Sequence, residues 1–230
     1  MLIHLPAAAA DTIWVKSVQR KVQPFERRYL QYTALKDGKI RLSSLLTRKA
    51  EVTSYKGAAA LLFTQQYQLE KATDTDSSFV SSDSFLPLAY FTAIQSEGHR
   101  EEVLFSADRI QNTIVYKDSS AFFEKPGHSW FNGVVTDDII SRLPMKKGAV
   151  FAFMAVNPGK RYYEYPVVIT IEGKEDLLIP GIGNLPCWRV RIGEEKDGIQ
   201  EWYTLKEQIQ VKKLARLKNG NVFHRVLIAV

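Results

Sequence analysis

The sequence predicts a mainly β chain: a single long, strongly curved antiparallel sheet, or half-barrel, with one or two short helices in or near the concave face. Three observations predict it. Apolar residues recur at every second position through most of the 230 residues, the period that sends successive side chains to opposite faces of a strand. Turn dipeptides punctuate those runs at Asp37-Gly38, Asp197-Gly198 and Asn219-Gly220, and such pairs accept the positive φ of a tight hairpin. Only one segment reads as a helix, and it precedes a run that is apolar on both faces and so needs cover on both sides.

In chain order, "YLQYTALKDGKIRLSSLL" gives two alternating runs around Asp37-Gly38, with Ile40, Leu42, Ser44 and Leu46 on one side of the second. After Lys56-Gly57 a third run carries Leu61, Phe63, Tyr67 and Leu69 inward and Leu62, Thr64, Gln66, Gln68 and Glu70 toward water. "TDTDSSFVSSDSF" (73–85) reads as a loop or short strand, and "LPLAYFTAI" (86–94) as an apolar strand. "EEVLFS", "NTIVYKD" and "SAFFE" are short strands, and "KPGHSWFNG" (125–133) is a loop. The helix follows, with Thr136 as N-cap, Asp137 and Asp138 in the first turn where carboxylates suit the dipole, Ile139, Ile140 and Leu143 inward, and Pro144 as the stop. "GAVFAFMAVNP" is the doubly covered strand, and an antiparallel series runs from Tyr165 to the end. The count is about ten to twelve strands in one domain over 13–230, preceded by a signal-like stretch at 1–12.

That stretch, "MLIHLPAAAADTIW", ends a short apolar run in Ala7–Ala10, small residues of the kind a signal peptidase cuts beside. It sets the expectation of export to the periplasm or cell envelope. No later run approaches the ~18 apolar residues of a membrane-crossing helix. The net charge of +6 favours contact with an anionic envelope surface. The basic residues occur as scattered pairs rather than as an arm, so nucleic acid is not expected as a partner.

The candidate chemistry is sparse. Cys187 is the only cysteine. A nucleophilic thiol needs a base within hydrogen-bond reach, and His99, His128 and His224 are the candidates, none at a motif spacing. Arg189 and Arg191 share its strand face and would lower its pKa, while Trp188, Val190 and Ile192 share the buried face. Packing is the plainer reading of Cys187. The glycines of "PGIGNLP" precede a strand rather than a helix, so they form a turn and not a phosphate cradle. Asp74 and Asp76 lack the spacing of a calcium loop. No catalytic residue, metal or cofactor is expected. The residues expected to line a concave apolar hollow are Tyr90, Phe151, Phe153, Trp188 and Trp202.

The order "LPLAYF", "DDIISRLPMKKGAVFAFMAVNP", "VVITIEGKEDLLIPGIGNLPCWRVRI" and "EWYTLKEQIQVKKL" resembles a group of exported bacterial proteins of unknown function. Cys187, Trp188, Arg189 and Val190 match its cysteine-containing strand, and Trp202-Tyr203 its next strand; the likeness runs over roughly residues 25–230. The resemblance implies a sheet similar to the lipoprotein-carrier half-barrels of the LolA and LolB type, with helix in the concavity. It implies no catalytic residues and places Cys187 in a fold motif. The expected function is a non-enzymatic envelope protein that binds a lipid, lipoprotein or other apolar ligand in its concave sheet. The alternatives are a hydrolase or transferase with a site near Cys187 or a histidine, and a scaffold module of an envelope complex.

Overall fold

The structure, a computed structural model, describes residues 12–18, 21–159, 162–193 and 198–230. The signal-like run Ala7–Ala10 and the Asp197 turn position lie outside them. Sixteen strands form one sheet: β1 (Thr12–Trp14), β2 (Phe25–Ala34), β3 (Ile40–Tyr55), β4 (Ala58–Gln68), β5 (Thr73–Ser81), β6 (Pro87–Ile94), β7 (His99–Phe105), β8 (Arg109–Tyr116), β9 (Ser120–Pro126), β10 (Phe131–Asn132), β11 (Val150–Asn157), β12 (Tyr163–Ile179), β13 (Gly183–Ile192), β14 (Ile199–Thr204), β15 (Gln210–Arg216) and β16 (Val222–Ala229). The order across the sheet is β1-β11-β12-β13-β14-β15-β16-β2-β3-β4-β5-β6-β7-β8-β9, with β10 also on β11. Every pairing is antiparallel except those of β1 and β10, which run parallel to β11. After β1 at one edge, the chain runs through β2, meanders outward to β9, then returns to fill the other half and closes β16 against β2.

The hairpins form where their turns predict them. Gly38, Gly57 and Gly220 have φ of +83°, +84° and +77°, values at which any other residue is strained. Of the loop or short strand expected for 73–85, the strand forms over Thr73–Ser81, because both neighbours supply ladder partners. Two very short strands, β1 and β10, account for part of the excess over the expected count. Neither is long enough to show a two-residue pattern. Register shifts interrupt the ladders at Gln31/Tyr32, Phe79/Val80, Ile171/Gly173, Trp202/Tyr203 and Leu227/Ala229. Each such bulge bends its strand and adds twist.

The sheet curves around a plug made of a 3-10 turn, Gly133–Val135, and helix α1, Thr136–Ile140. Thr136 does not cap the helix. Its hydroxyl donates to the Gly133 carbonyl at 2.8 Å, and the side chain of Asn132 caps the 3-10 turn by accepting from Val134 N at 3.0 Å. Val135, Ile139 and Ile140 are fully buried and belong to the main core with Leu61 and Phe63 of β4, Val80 of β5, Phe151 and Phe153 of β11, Ile169 of β12, Val190 of β13 and Tyr203 of β14. Strands far apart in the sheet order therefore meet on one short helix, which is possible only if the sheet wraps it. Phe85 completes this core with a φ of +65° and its ring 5.7 Å from that of Phe63. A second cluster gathers Tyr29, Leu46, Ile179, Cys187, Trp202, Val211 and Leu227.

Candidate functional site

Asp137 and Asp138 are the first-turn carboxylates of α1, and a helix dipole alone would leave them in water. The sheet instead closes over them. Asp137 Oδ2 accepts from Arg225 Nη1 at 2.6 Å and Arg48 Nη1 at 3.2 Å. Its Oδ1 faces Lys213 Nζ at 2.9 Å. Asp138 Oδ2 accepts from Arg48 Nη2 at 2.5 Å, and Lys213 Nζ also reaches Glu201 Oε1 at 2.8 Å. Three cations from β3, β15 and β16 thus meet three carboxylates from α1 and β14, all with largely buried side chains. Tyr203 lies alongside, its hydroxyl against Glu201 Oε2 and 3.3 Å from the Asp137 carbonyl. Gln31 extends the network: with its amide oxygen toward Arg225 Nε and Nη2 at 2.9 and 3.1 Å, its nitrogen donates to Ser44 Oγ at 2.7 Å.

The six charges are not equivalent. Burial pushes the Asp137 pKa up, but Lys213, Arg225 and Arg48 together outweigh it and hold the carboxylate well below the usual range. Asp137 therefore contributes stability that is present above the unfolded aspartate pKa of ~3.9 and fades as pH falls toward its lower folded value. Glu201 goes the other way, raised by burial and then by Asp137, with Lys213 opposing. A raised folded pKa gives stability that is full below the unfolded glutamate value of ~4.3 and is lost as pH climbs through the folded one. Glu201→Gln is expected to remove that loss. Denaturant titrations at a series of pH values should show the variant gaining on the wild type as pH rises, and a steady loss at neutral pH would contradict this assignment.

A cavity of about 280 Å³ opens beside the plug. Gln65, Tyr67, Asp76, Asp137, Lys213 and Arg225 supply polar lining, and Val134, Val167, Ile192 and Ile199 apolar lining. Tyr165 reaches in because position 133 is glycine; a Cβ there would overlap the Tyr165 hydroxyl. Gln65 Nε2 donates to the Val134 carbonyl at 3.1 Å, and Gln65 Oε1 accepts from the Tyr67 hydroxyl at 3.0 Å. Asp76 accepts from Tyr90 at 2.9 Å, and burial raises its pKa. The lining is mixed: charged and hydroxyl-bearing side chains together with aliphatic ones.

The five residues expected to line an apolar hollow are dispersed. Phe151 and Phe153 are core residues beneath the plug, and Trp188 packs against that core from β13 with Lys174 Nζ 4.9 Å from its ring centre. Trp202 sits in the second cluster, its indole N–H donating to Glu175. Tyr90 reaches the cavity region only through its hydrogen bond to Asp76 and otherwise borders a separate pocket of about 310 Å³ with His99, Glu101 and Gly159. There His99 Nε2 lies 3.0 Å from Glu101 Oε1.

Cys187 is fully buried in the second cluster. Burial, then Glu175 and Asp176, pushes its thiol up to about 11, away from the thiolate a nucleophile needs. The neighbouring arginines are occupied elsewhere: Arg189 pairs with Glu172 and Glu175, and Arg191 with Glu172. His128 stacks on Trp130 and His224 on Tyr32. Among the described residues no cluster of three His, Cys, Asp or Glu side chains is placed to hold a metal, and no helix is long and apolar enough to cross a membrane.

Sequence reading left Arg48, Glu201, Lys213 and Arg225 out of the site. A family model described as "Protein of unknown function (DUF3108)" matches residues 39–224, a span that holds Arg48, the plug, Glu201 and Lys213. No curated protein matches the chain.

Proposed function

The chain belongs to the DUF3108 family of proteins of unknown function, and from that premise we propose that it is a non-enzymatic binding protein of the cell envelope that takes the polar end of a lipid or lipoprotein-like ligand into the cavity beside the plug. The observation that carries this reading is the cavity's mixed polar and aliphatic lining. Charged and hydroxyl groups from β4, β5, α1, β15 and β16 converge on a space that aliphatic side chains also line, and convergent polar groups beside apolar surface are what orient a small ligand. Its volume, about 280 Å³, lies near the lower limit of ligand pockets, so it holds a headgroup or the first atoms of a chain rather than a whole lipid.

In this reading Ile192 and Ile199 meet the first carbons of an acyl chain. The general layout, a bent sheet with a helical element inside, is what the resemblance to the lipoprotein carriers leads one to expect, and on that expectation it supports the ligand class. The small-residue run Ala7–Ala10 supports the compartment. The buried, unactivated Cys187 favours the binding reading over a thiol enzyme.

Ile199 is only partly buried at the start of β14, so a larger ring there fills the cavity without displacing the core. Wild type and Ile199→Trp, purified side by side from the host's envelope and extracted with organic solvent, should differ by one amphiphile that accompanies only the wild type. Equal recovery from both, or none from either, overturns the proposal.

A further inference from the structure

Two hairpin turns lie side by side at one end of the sheet. β2 and β3 turn at Asp37-Gly38, β15 and β16 at Asn219-Gly220, and β16 pairs with β2 so that Val222 stands opposite Ala34. Lys36 N donates to Asn221 Oδ1 at 3.3 Å, and the Lys36 side chain crosses Gly220, where any Cβ would strike it. This juxtaposition gathers Lys36, Lys39, Arg41, Arg216 and Lys218, all exposed. The one carboxylate among them, Asp37, lies 3.3 Å from Lys39 Nζ. Most of the protein's excess positive charge therefore sits on one tip, assembled from segments that the sequence holds far apart.

The same tip carries bare aliphatic side chains. Ile40 is 70% exposed, Leu42 66% and Leu217 39%. By strand register Ile40 and Leu42 point to the same face as Tyr32, which is stacked on His224. That face is opposite to the one carrying Arg225, which points to the plug. β3 gains its β4 partner only at Leu45, so its first residues project beyond the body of the sheet.

We propose that this double-hairpin tip docks on an anionic phospholipid bilayer, its cations among the headgroups and Ile40, Leu42 and Leu217 at the acyl boundary. Charge complementarity selects an anionic partner, and the aliphatic side chains select a bilayer over a nucleic acid. A phosphate backbone offers those side chains nothing to bury against, whereas an interfacial segment gains both from apolar insertion and from anionic lipid. Each basic residue near such a surface strengthens partition about fivefold. The inference goes beyond the cavity reading and is independent of it, because the cavity faces the plug while the tip projects away from the body of the sheet.

The test is cosedimentation with vesicles of phosphatidylcholine alone and of phosphatidylcholine mixed with phosphatidylglycerol. The protein should bind the mixed vesicles, bind the neutral ones weakly, and lose binding as salt rises. Lys36→Ala with Lys218→Ala should weaken binding on the order of thirtyfold. Ile40→Ser with Leu42→Ser should weaken it as well, and the exposure of both positions keeps thermal unfolding unchanged. Ile199→Trp should bind vesicles like the wild type, which separates a failure here from a failure of the cavity. Absent binding to the mixed vesicles overturns the proposal. So does vesicle binding that survives Ile40→Ser with Leu42→Ser while duplex DNA competes for the same tip, which would make the patch a general polyanion surface.

Discussion

Methionine in place of Arg48 lowers the unfolding free energy by about 3–5 kcal/mol. Arg48 bridges both carboxylates of the plug, Asp137 at 3.2 Å and Asp138 at 2.5 Å, and its side chain is nearly inaccessible to solvent. Removing it leaves Asp138 without its principal cation in a buried site. Asp138 already has a raised pKa from burial, with Arg48 as the main opposing influence. Denaturant titration at neutral pH measures the loss. A second signature distinguishes an electrostatic cause from simple loss of packing: the deficit should shrink as pH is lowered and the stranded Asp138 takes up a proton. The exposed pair Arg28–Glu26 is the control, since solvent screens such surface pairs, and Arg28→Met should barely register.

Phe153→Ala is expected to cost about 3–5 kcal/mol through cavity formation and lost transfer energy. Phe153 is 1% exposed and meets the Phe131 ring edge-on at 5.1 Å and 73°. Phe131 lies in β10, next to the turn that begins the plug, so the substitution loosens the plug's foundation as well as the core. The comparison is Phe122→Ala on the edge strand β9, where the ring is 62% exposed and little stability is at stake. A comparable loss at both positions would mean that the core around β11 is not the one described above.

The sheet was legible because its cause is local. Alternation shows which side of each strand meets water, and Asp37-Gly38 and Asn219-Gly220 mark reversals that follow from backbone sterics alone. The curvature was legible only indirectly, through the doubly apolar β11 and its neighbouring helix. The charge cluster was less visible because it depends on pairings between residues far apart in sequence. Asp137 and Asp138 had a sufficient local explanation at a helix start, which concealed their partners from β3, β15 and β16. A usable signal was nevertheless present. Arg48 falls on the same strand face as Leu46 and Ala50, and Arg225 on the same face as Leu227. A charge at an inward position of an alternating strand must be paired or pay a large desolvation penalty. The expected ligand residues reflected the opposite bias: aromatics were read as lining a hollow, whereas Phe151 and Phe153 fill it. The basic tip was missed for the same non-local reason, since Lys36 and Lys218 meet only when β16 closes against β2.

These features divide the molecule by role. The main core and the buried ions fix a short helix inside a bent sheet. That helix leaves a cavity of mixed lining along its flank, and the far hairpins present cations and aliphatic side chains to the exterior. A ligand with a polar end and an apolar tail suits the first surface, and an anionic bilayer suits the second. Together they support the proposal of a protein that handles an amphiphile close to a membrane.

The most direct measurement is a native mass spectrum of the full chain isolated from its own host's envelope. The account predicts a second species heavier than the polypeptide by one amphiphile, at one copy per chain, that disappears when the protein is unfolded before spraying. A spectrum containing only the bare polypeptide would contradict it.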